Sequence, residues 1–114
     1  YNLALEKIKR ERVSNITLVR GDARYLSTYA DELGLLPFDA VFTSVPISCV
    51  ENPEEYLRNL ASSVRPDGAV LQLTYWPFYT KRLFMRAGLR HVEIIPTFIN
   101  PPVPGAIVKG VVKR

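Results

Sequence analysis

The sequence contains one cysteine, one histidine and one tryptophan among its 114 residues, and these scarcities limit its chemistry. The single cysteine, Cys49, excludes an internal disulfide bond and fits a reducing cytoplasm. The single histidine, His91, has no second metal ligand in register, so we interpret it as structural and predict no metal site. No apolar run approaches the ~20 residues that a membrane-spanning helix needs.

Acidic residues are scarce in the second part of the chain. Residues 1–67 hold eight Lys or Arg and ten Asp or Glu, whereas residues 68–114 hold seven Lys or Arg and one acid, Glu93. The balances of −2 and +6 add up to the formal charge of +4. A basic second part favours contact with an anionic surface, either phospholipid headgroups or nucleic acid. A solvated basic face that aids solubility is an equally good interpretation.

Helix and strand signals alternate along a chain long enough for one small domain. The apolar spacing predicts helices over residues 2–13, 24–33, 52–64 and 80–87, and strands over residues 16–20, 40–44, 69–75, 90–99 and 106–112. This alternation predicts an α/β fold with a mostly parallel sheet and helices on both faces. The short connection between the last two strands predicts a C-terminal antiparallel hairpin.

The strand over residues 40–44 is predicted to be the centre of the fold. It is free of charge and rich in β-branched and aromatic side chains, which is typical of a strand buried on both faces. Pro46 ends the strand because it cannot donate to a sheet, and it favours an extended Val45. The carbonyls of Ser44 and Val45 are therefore expected to point beyond the strand end, where open α/β sheets bind ligands.

Several short motifs follow one another in a family-specific order. The residues Gly21, Asp22 and Ala23 after the first strand, and residues 39–41 at the start of the next, resemble class I S-adenosylmethionine-dependent methyltransferases. Residues 44–47 (Ser-Val-Pro-Ile), 72–75 (Gln-Leu-Thr-Tyr) and 99–102 (Ile-Asn-Pro-Pro) resemble three signatures of bacterial phospholipid N-methyltransferases. In that family these signatures read approximately Ser-Gly-Leu-Pro, Gln-Phe-Thr-Tyr and Asn-Leu-Pro-Pro.

The resemblance implies a Rossmann-like methyltransferase sheet of which the chain holds only part. The family begins with a strand, a Gly-rich turn and a second strand that ends in an acid, whereas the first glycine here is Gly21. Residues 1–114 are therefore interpreted as a partial class I methyltransferase domain that lacks the first two strands. There are three alternatives for the gap that the missing strands leave. A second chain supplies them, the full protein is longer, or the neighbouring strands close onto each other.

The resemblance also implies S-adenosylmethionine as cofactor, bound by Gly21, Asp22, Ala23 and Ser44. The Asp22 carboxylate would accept a hydrogen bond from the adenine amine, since a carboxylate is only an acceptor, and the Ala23 amide would meet a ring nitrogen. The alternative for Asp22 is a helix cap over residues 24–33, and the two roles are compatible.

The predicted catalytic loop consists of Ser44, Val45 and Pro46. Methyl transfer to an amine is an in-line displacement, and the Ser44 hydroxyl and the loop carbonyls would accept N–H groups and so aim the nitrogen lone pair. The alternative is a plain strand-to-loop turn. Amine methyltransferases of nucleic acids use Asn or Asp here and a ring-bearing residue after the prolines. Ser44 and Ile47 depart from that pattern, which disfavours a flipped base as substrate.

Tyr75 and Asn100 are the predicted substrate-binding residues. Tyr75 would stand beside Ser44 and offer its hydroxyl to the substrate, while Asn100 is alternatively a turn former. The aromatic residues nearby would contact lipid or simply cover the sheet end: Trp76, Phe78 and Tyr79. The basic residues nearby would contact anionic membrane or form a solvated face: Lys81, Arg82, Arg86 and Arg90.

The resulting hypothesis is a cytoplasmic N-methyltransferase, peripheral at the membrane, acting on a phospholipid amine such as phosphatidylethanolamine. A small-molecule amine is a related substrate. The alternatives are a methyltransferase fragment that does not bind cofactor, and an RNA or DNA amine methyltransferase.

Overall fold

The computed structural model describes residues 2–11, 15, 25–98 and 104–113. Its helices are α1 (Asn2–Arg10), α2 (Leu26–Glu32), α3 (Pro53–Ser62) and α4 (Pro77–Arg86), and a 3-10 turn spans Ile47–Cys49. Its strands are β1 (Phe38–Thr43), β2 (Val64–Thr74), β3 (Arg90–Phe98) and β4 (Pro104–Val111). The strand predicted over residues 16–20 lies outside the described residues.

The strands form one mixed sheet in the order β1-β2-β4-β3. β1 and β2 are parallel, whereas β4 runs antiparallel to both of its neighbours. The predicted α/β fold and the C-terminal antiparallel hairpin are confirmed, with β3 outermost at that edge. Within the described strands, one parallel pair and two antiparallel pairs replace the mostly parallel pairing that was expected.

One face of the sheet is covered by α3 and α4. The register pairs Thr43 with Gln72, so their side chains share this face. The α3 residue Tyr56 contacts Thr43, and the α4 residue Thr80 contacts Thr74, two positions beyond Gln72 on β2. The core therefore lies between these helices and the sheet, and its buried members include Leu57, Leu60, Val64, Val70, Leu83, Phe84, Leu89 and Val108.

The other face of the sheet is less covered, which corrects one prediction. Phe42 of β1 is 57% exposed and Ala40 is also exposed, although the strand was expected to be buried on both faces. The physical reason is that β1 is outermost among the described strands, and Phe42 faces away from α3 and α4. Leu71 and Leu73 of β2, on the same side, are partly exposed.

Local sequence signals set most helix ends. Asn52 caps α3, because its Oδ1 accepts from the Glu55 amide at 3.3 Å and its Nδ2 donates to the Glu55 carboxylate at 3.1 Å. Gly34 and Gly88 follow α2 and α4 with φ of 69° and 88°, the left-handed conformation that ends many helices. The start of α4 was predicted wrongly at Thr80, because Pro77 fits the first turn of a helix and extends it.

An irregular segment of β2, residues 65–68, sets how β1 and β2 align. Phe38 pairs with Val64 but Ala40 already pairs with Ala69, so the register shifts between them. The left-handed backbone of this segment lies at Asp67, with φ of 68°. Gly68 is needed for close approach, since a Cβ there would lie 2.5 Å from the Asp39 carbonyl oxygen. Beyond the shift the pairing runs to Thr43 and Gln72, so β2 ends two residues after the last pair with β1.

Candidate functional site

The two parallel strands β1 and β2 end at the same edge of the sheet, and a cavity of about 300 Å³ lies there. Its walls bring together residues that follow both strands: Ser44, Pro46, Ile47, Leu73, Thr74, Tyr75 and Trp76. Three of the predicted catalytic residues, Ser44, Pro46 and Tyr75, therefore share one cavity. Val45 lies between two of them in sequence but does not form part of the wall.

The turn after β1 is fixed by the buried Thr43. The Thr43 Oγ1 accepts a hydrogen bond from the Val45 amide at 3.2 Å and lies 3.2 Å from the Tyr56 hydroxyl. A threonine side chain that accepts from the amide two residues later mimics a backbone turn. This arrangement turns the chain out of the sheet at Ser44.

The turn after β2 uses the same device. The Thr74 Oγ1 accepts from the Trp76 amide at 3.0 Å and lies 3.0 Å from the Thr80 Oγ1. Thr74 and Thr80 are both buried. Both strand ends at the cavity are thus held by a buried threonine hydroxyl. Neither threonine was predicted as a site residue, although each is the last residue of its strand.

Gln72 joins the two strand ends from inside the core. Its Nε2 donates to the Val45 carbonyl at 2.7 Å and to the Leu73 carbonyl at 2.9 Å. Both partners are acceptors, which fixes the amide orientation and leaves the buried Oε1 without a partner in the described part of the chain. The sequence suggested that the Val45 carbonyl points openly beyond the strand end. This carbonyl instead accepts the hydrogen bond from Gln72.

Two hydroxyl groups at the cavity remain available. Ser44 is exposed, and its hydroxyl makes no hydrogen bond within residues 25–98 and 104–113. Tyr75 is 45% exposed, and its ring meets that of Trp76 edge to face at a centroid distance of 6.2 Å. Ser44 and Tyr75 can therefore offer polar contacts in a wall that is otherwise largely apolar.

The remaining predicted site residues lie outside the described residues: Gly21, Asp22, Ala23 and Asn100. Their roles stay predictions. Among the residues that are described, no cluster of three or more His, Cys, Asp or Glu side chains suits a metal ion. None of the helices in this part has the length and apolar character that crossing a bilayer demands.

The fold resembles that of several solved structures. EvdMO1 superposes with a TM-score of 0.71 at 19% identity, over 97% of this chain and 29% of that one. An rRNA methylase from Streptococcus thermophilus superposes with a TM-score of 0.66 at 14% identity, over 99% of this chain and 67% of that one. The M1.HpyAVI–SAM complex gives a TM-score of 0.63 at 19% identity, over 83% and 52% of the two chains.

These likenesses establish the fold, and the chain spans as little as 29% of the length of the solved proteins it matches. No curated protein sequence matches the chain. A family model described as a methyltransferase domain matches residues 1–72, which include β1, α3 and most of β2. The chain therefore belongs to the methyltransferase domain family.

Proposed function

We propose that this chain forms the acceptor side of an S-adenosylmethionine-dependent N-methyltransferase whose substrate is the amine of a phospholipid headgroup, such as phosphatidylethanolamine. The observation that carries the proposal is the exposed Ser44 hydroxyl, without a partner in the described chain, beside Tyr75 at the ends of two parallel strands. Ligands of open α/β sheets bind outside such strand ends. The activity proposed is that of the whole protein to which the chain contributes.

The residues at the cavity fit one end of the cofactor. About 300 Å³ is the lower limit for small-ligand pockets, so the cavity suits a reacting group and not a whole nucleoside. The adenosine end would be held by Gly21, Asp22 and Ala23, in keeping with the motif resemblance. When bound, S-adenosylmethionine supplies an activated methyl group.

The chain's own contribution is orientation of the amine. The Ser44 Oγ would accept a hydrogen bond from a substrate N–H, which directs the nitrogen lone pair away from the loop. No carboxylate or imidazole lines the described cavity. The amine therefore has to give up its ammonium proton to water before it binds, and the hydroxyl of Tyr75 serves as a second polar contact.

Two of the three phospholipid methyltransferase-like motifs meet at this cavity, which supports the lipid amine as acceptor. Ser44, Pro46 and Ile47 come from residues 44–47, and Leu73, Thr74 and Tyr75 come from residues 72–75. The two segments are 27 residues apart where Gln72 bonds to Val45. A shared site explains why both motifs occur in one chain.

A nucleic-acid amine is the second candidate, and one observation favours it. The rings of Tyr75 and Trp76 line the cavity, and an extruded base can stack on aromatic side chains. The Ile47 position, where the nucleic-acid enzymes carry a ring, is aliphatic and buried here. The lipid amine thus remains the better-supported substrate.

The proposal is tested with the protein expressed at the full length of its reading frame and with methyl-labelled S-adenosylmethionine. Phosphatidylethanolamine liposomes should acquire label, whereas phosphatidylcholine liposomes should not, because their nitrogen has no lone pair. Total RNA and DNA are offered in parallel. Label in nucleic acid in place of lipid would select the second candidate, and label in none of them would contradict N-methylation of these acceptors.

A calorimetric titration separates the enzyme from the alternative of a fragment without a cofactor site. Saturable binding of S-adenosylmethionine is expected for the protein at its full length. Binding by the 114-residue chain alone would show that its own residues complete the site. Absence of binding at full length would leave only the fragment interpretation.

A further inference from the structure

The outward side of α4 carries large apolar side chains that the core does not use. Thr80, Leu83 and Phe84 are the buried residues of this helix. On the opposite side, Phe78 is 77% exposed and Met85 is 61% exposed. Contiguous exposed apolar surface is typical of sites that bind a protein or a membrane.

The helical spacing arranges these side chains as a ridge between cations. Phe78 and Met85 are seven residues apart, so they lie above one another after two turns. Lys81 and Arg82 lie three and four residues after Phe78, and therefore flank the ridge on its two sides. Arg86 continues the row that begins with Arg82. We call Phe78, Lys81, Arg82, Met85 and Arg86 the outer face of α4.

The cations of this face have no acidic partner among the described residues. Within the described chain, neither Lys81, Arg82 nor Arg86 forms an ion pair, and α4 contains no acidic residue. The neighbouring Arg58 of α3 pairs with Glu54 of its own helix and donates to the Arg86 carbonyl at 3.2 Å. The positive charge of the outer face is therefore available to an anionic partner.

The face is continuous with the candidate site. Trp76 precedes the first residue of α4, is 56% exposed, and also lines the cavity beside Ser44. A partner bound along the outer face would consequently lie next to the mouth of the cavity.

We infer that the outer face of α4 docks on an anionic lipid bilayer, with Phe78 and Met85 inserted among the headgroups and the three cations on lipid phosphates. An apolar ridge between snorkelling Lys and Arg side chains is the pattern of interfacial helices. Nucleic acid fits this face less well, because Phe78 is its only flat ring and bases do not stack on the thioether of Met85. This binding does not depend on methyl transfer.

Vesicle binding by the protein expressed at the full length of its reading frame tests the inference. The protein should sediment with vesicles of phosphatidylcholine and phosphatidylglycerol but hardly with phosphatidylcholine alone, and raised salt should release it. Trp76 is the only tryptophan of the 114 residues, and its emission should shift to the blue on binding. This readout is independent of any cofactor or methyl acceptor, so its failure is distinct from failure of the proposed reaction.

Substitutions then locate the surface. The triple change of Lys81, Arg82 and Arg86 to Gln should lower partitioning by roughly fivefold for each cation, or roughly 100-fold in total. The matched control changes Lys7, Lys9 and Arg10 of α1 to Gln, which removes the same charge from other exposed positions and should leave partitioning close to its original level. The pair Phe78→Ser and Met85→Ser should abolish the Trp76 shift.

Four results would overturn the inference. The first is equal binding to neutral and anionic vesicles, and the second is an equal loss of binding in the α1 control. The third is preferential binding of an RNA oligonucleotide through the same cations. The fourth is a dimer of the chain that dissociates when Phe78 and Met85 become Ser. Because the substituted side chains lie at the surface, the circular dichroism of the variants is expected to match that of the unmodified chain.

Discussion

Gln72 of β2 donates a hydrogen bond from its Nε2 to the carbonyl of Val45, in the loop that follows β1, at a distance of 2.7 Å. The Gln72 side chain is fully buried and also bonds to the Leu73 carbonyl. The loop that presents Ser44 is therefore attached to the core by a side chain of the neighbouring strand. This bond couples the position of the loop at the candidate site to the position of β2 in the sheet.

Substitutions of Gln72 should show how much its Nε2 and its Oε1 each contribute to stability. Gln72→Leu leaves the Val45 carbonyl without its donor but removes the buried Oε1, so we expect a loss of roughly 1–3 kcal/mol in the free energy of unfolding. Gln72→Glu should cost more, because a carboxylate would face two carbonyl oxygens. Urea unfolding measures both. Equal stability of Gln72→Glu and the unmodified chain would refute the role of this anchor.

The hydroxyl pair of Thr74 and Thr80 should show strong coupling. Thr74→Val removes the acceptor of the Trp76 amide and the partner of Thr80, and we expect it to cost roughly 1–3 kcal/mol of stability. With Thr80→Val added, the total should be smaller than the sum of the single changes, since the partner has already been lost. A double-mutant cycle by chemical unfolding measures this coupling. Strict additivity would mean that the two hydroxyls do not interact.

Gly110 should tolerate no side chain. A Cβ at this position would lie 2.9 Å from both the Leu89 Cβ and the Phe84 Cδ2, so Gly110→Ala is expected to cost roughly 1–3 kcal/mol by overpacking. Gly88→Ala is the matched control, because its Cβ would meet no atom within 4 Å and only its φ of 88° opposes the change. Thermal unfolding followed by circular dichroism compares them. Unchanged stability of Gly110→Ala would contradict the packing of α4 on β4.

The Ser44 hydroxyl should matter for activity and not for stability. Ser44→Ala is expected to lower kcat for methyl transfer by about 100-fold, the typical effect of removing one preorganised polar contact. Ser48→Ala is the control, since Ser48 is also exposed in the same loop but lies outside the cavity wall. Both changes should alter stability by less than about 0.5 kcal/mol. Equal kcat for the two variants would exclude Ser44 from the reaction.

Local chemistry explains which parts of the fold were predictable. The Asn52 cap and the glycines at 34 and 88 act through the backbone within a few residues, so their effects are visible in the sequence. The antiparallel hairpin followed from a short connection. Pro77 obeys the same rule as Pro53, yet the aromatic residues around it masked the helix start.

The features that escaped prediction depend on distant contacts. The exposure of Phe42 reflects the position of β1 at the rim of the described sheet, which no local pattern encodes. The bond between Gln72 and Val45 joins residues 27 positions apart, and it appears only when the strand register is known. Ser44 and Tyr75 line one cavity because parallel strands end at one edge of the sheet, and their roles stay predictions.

A crystal structure of the protein at the full length of its reading frame with S-adenosylhomocysteine would test the central claim most directly. The account predicts that the cofactor sulfur faces the cavity lined by Ser44, Pro46 and Tyr75, leaving room for an amine about 3–3.5 Å from a transferable methyl group. A sulfur atom bound at the opposite ends of β1 and β2 would contradict the account.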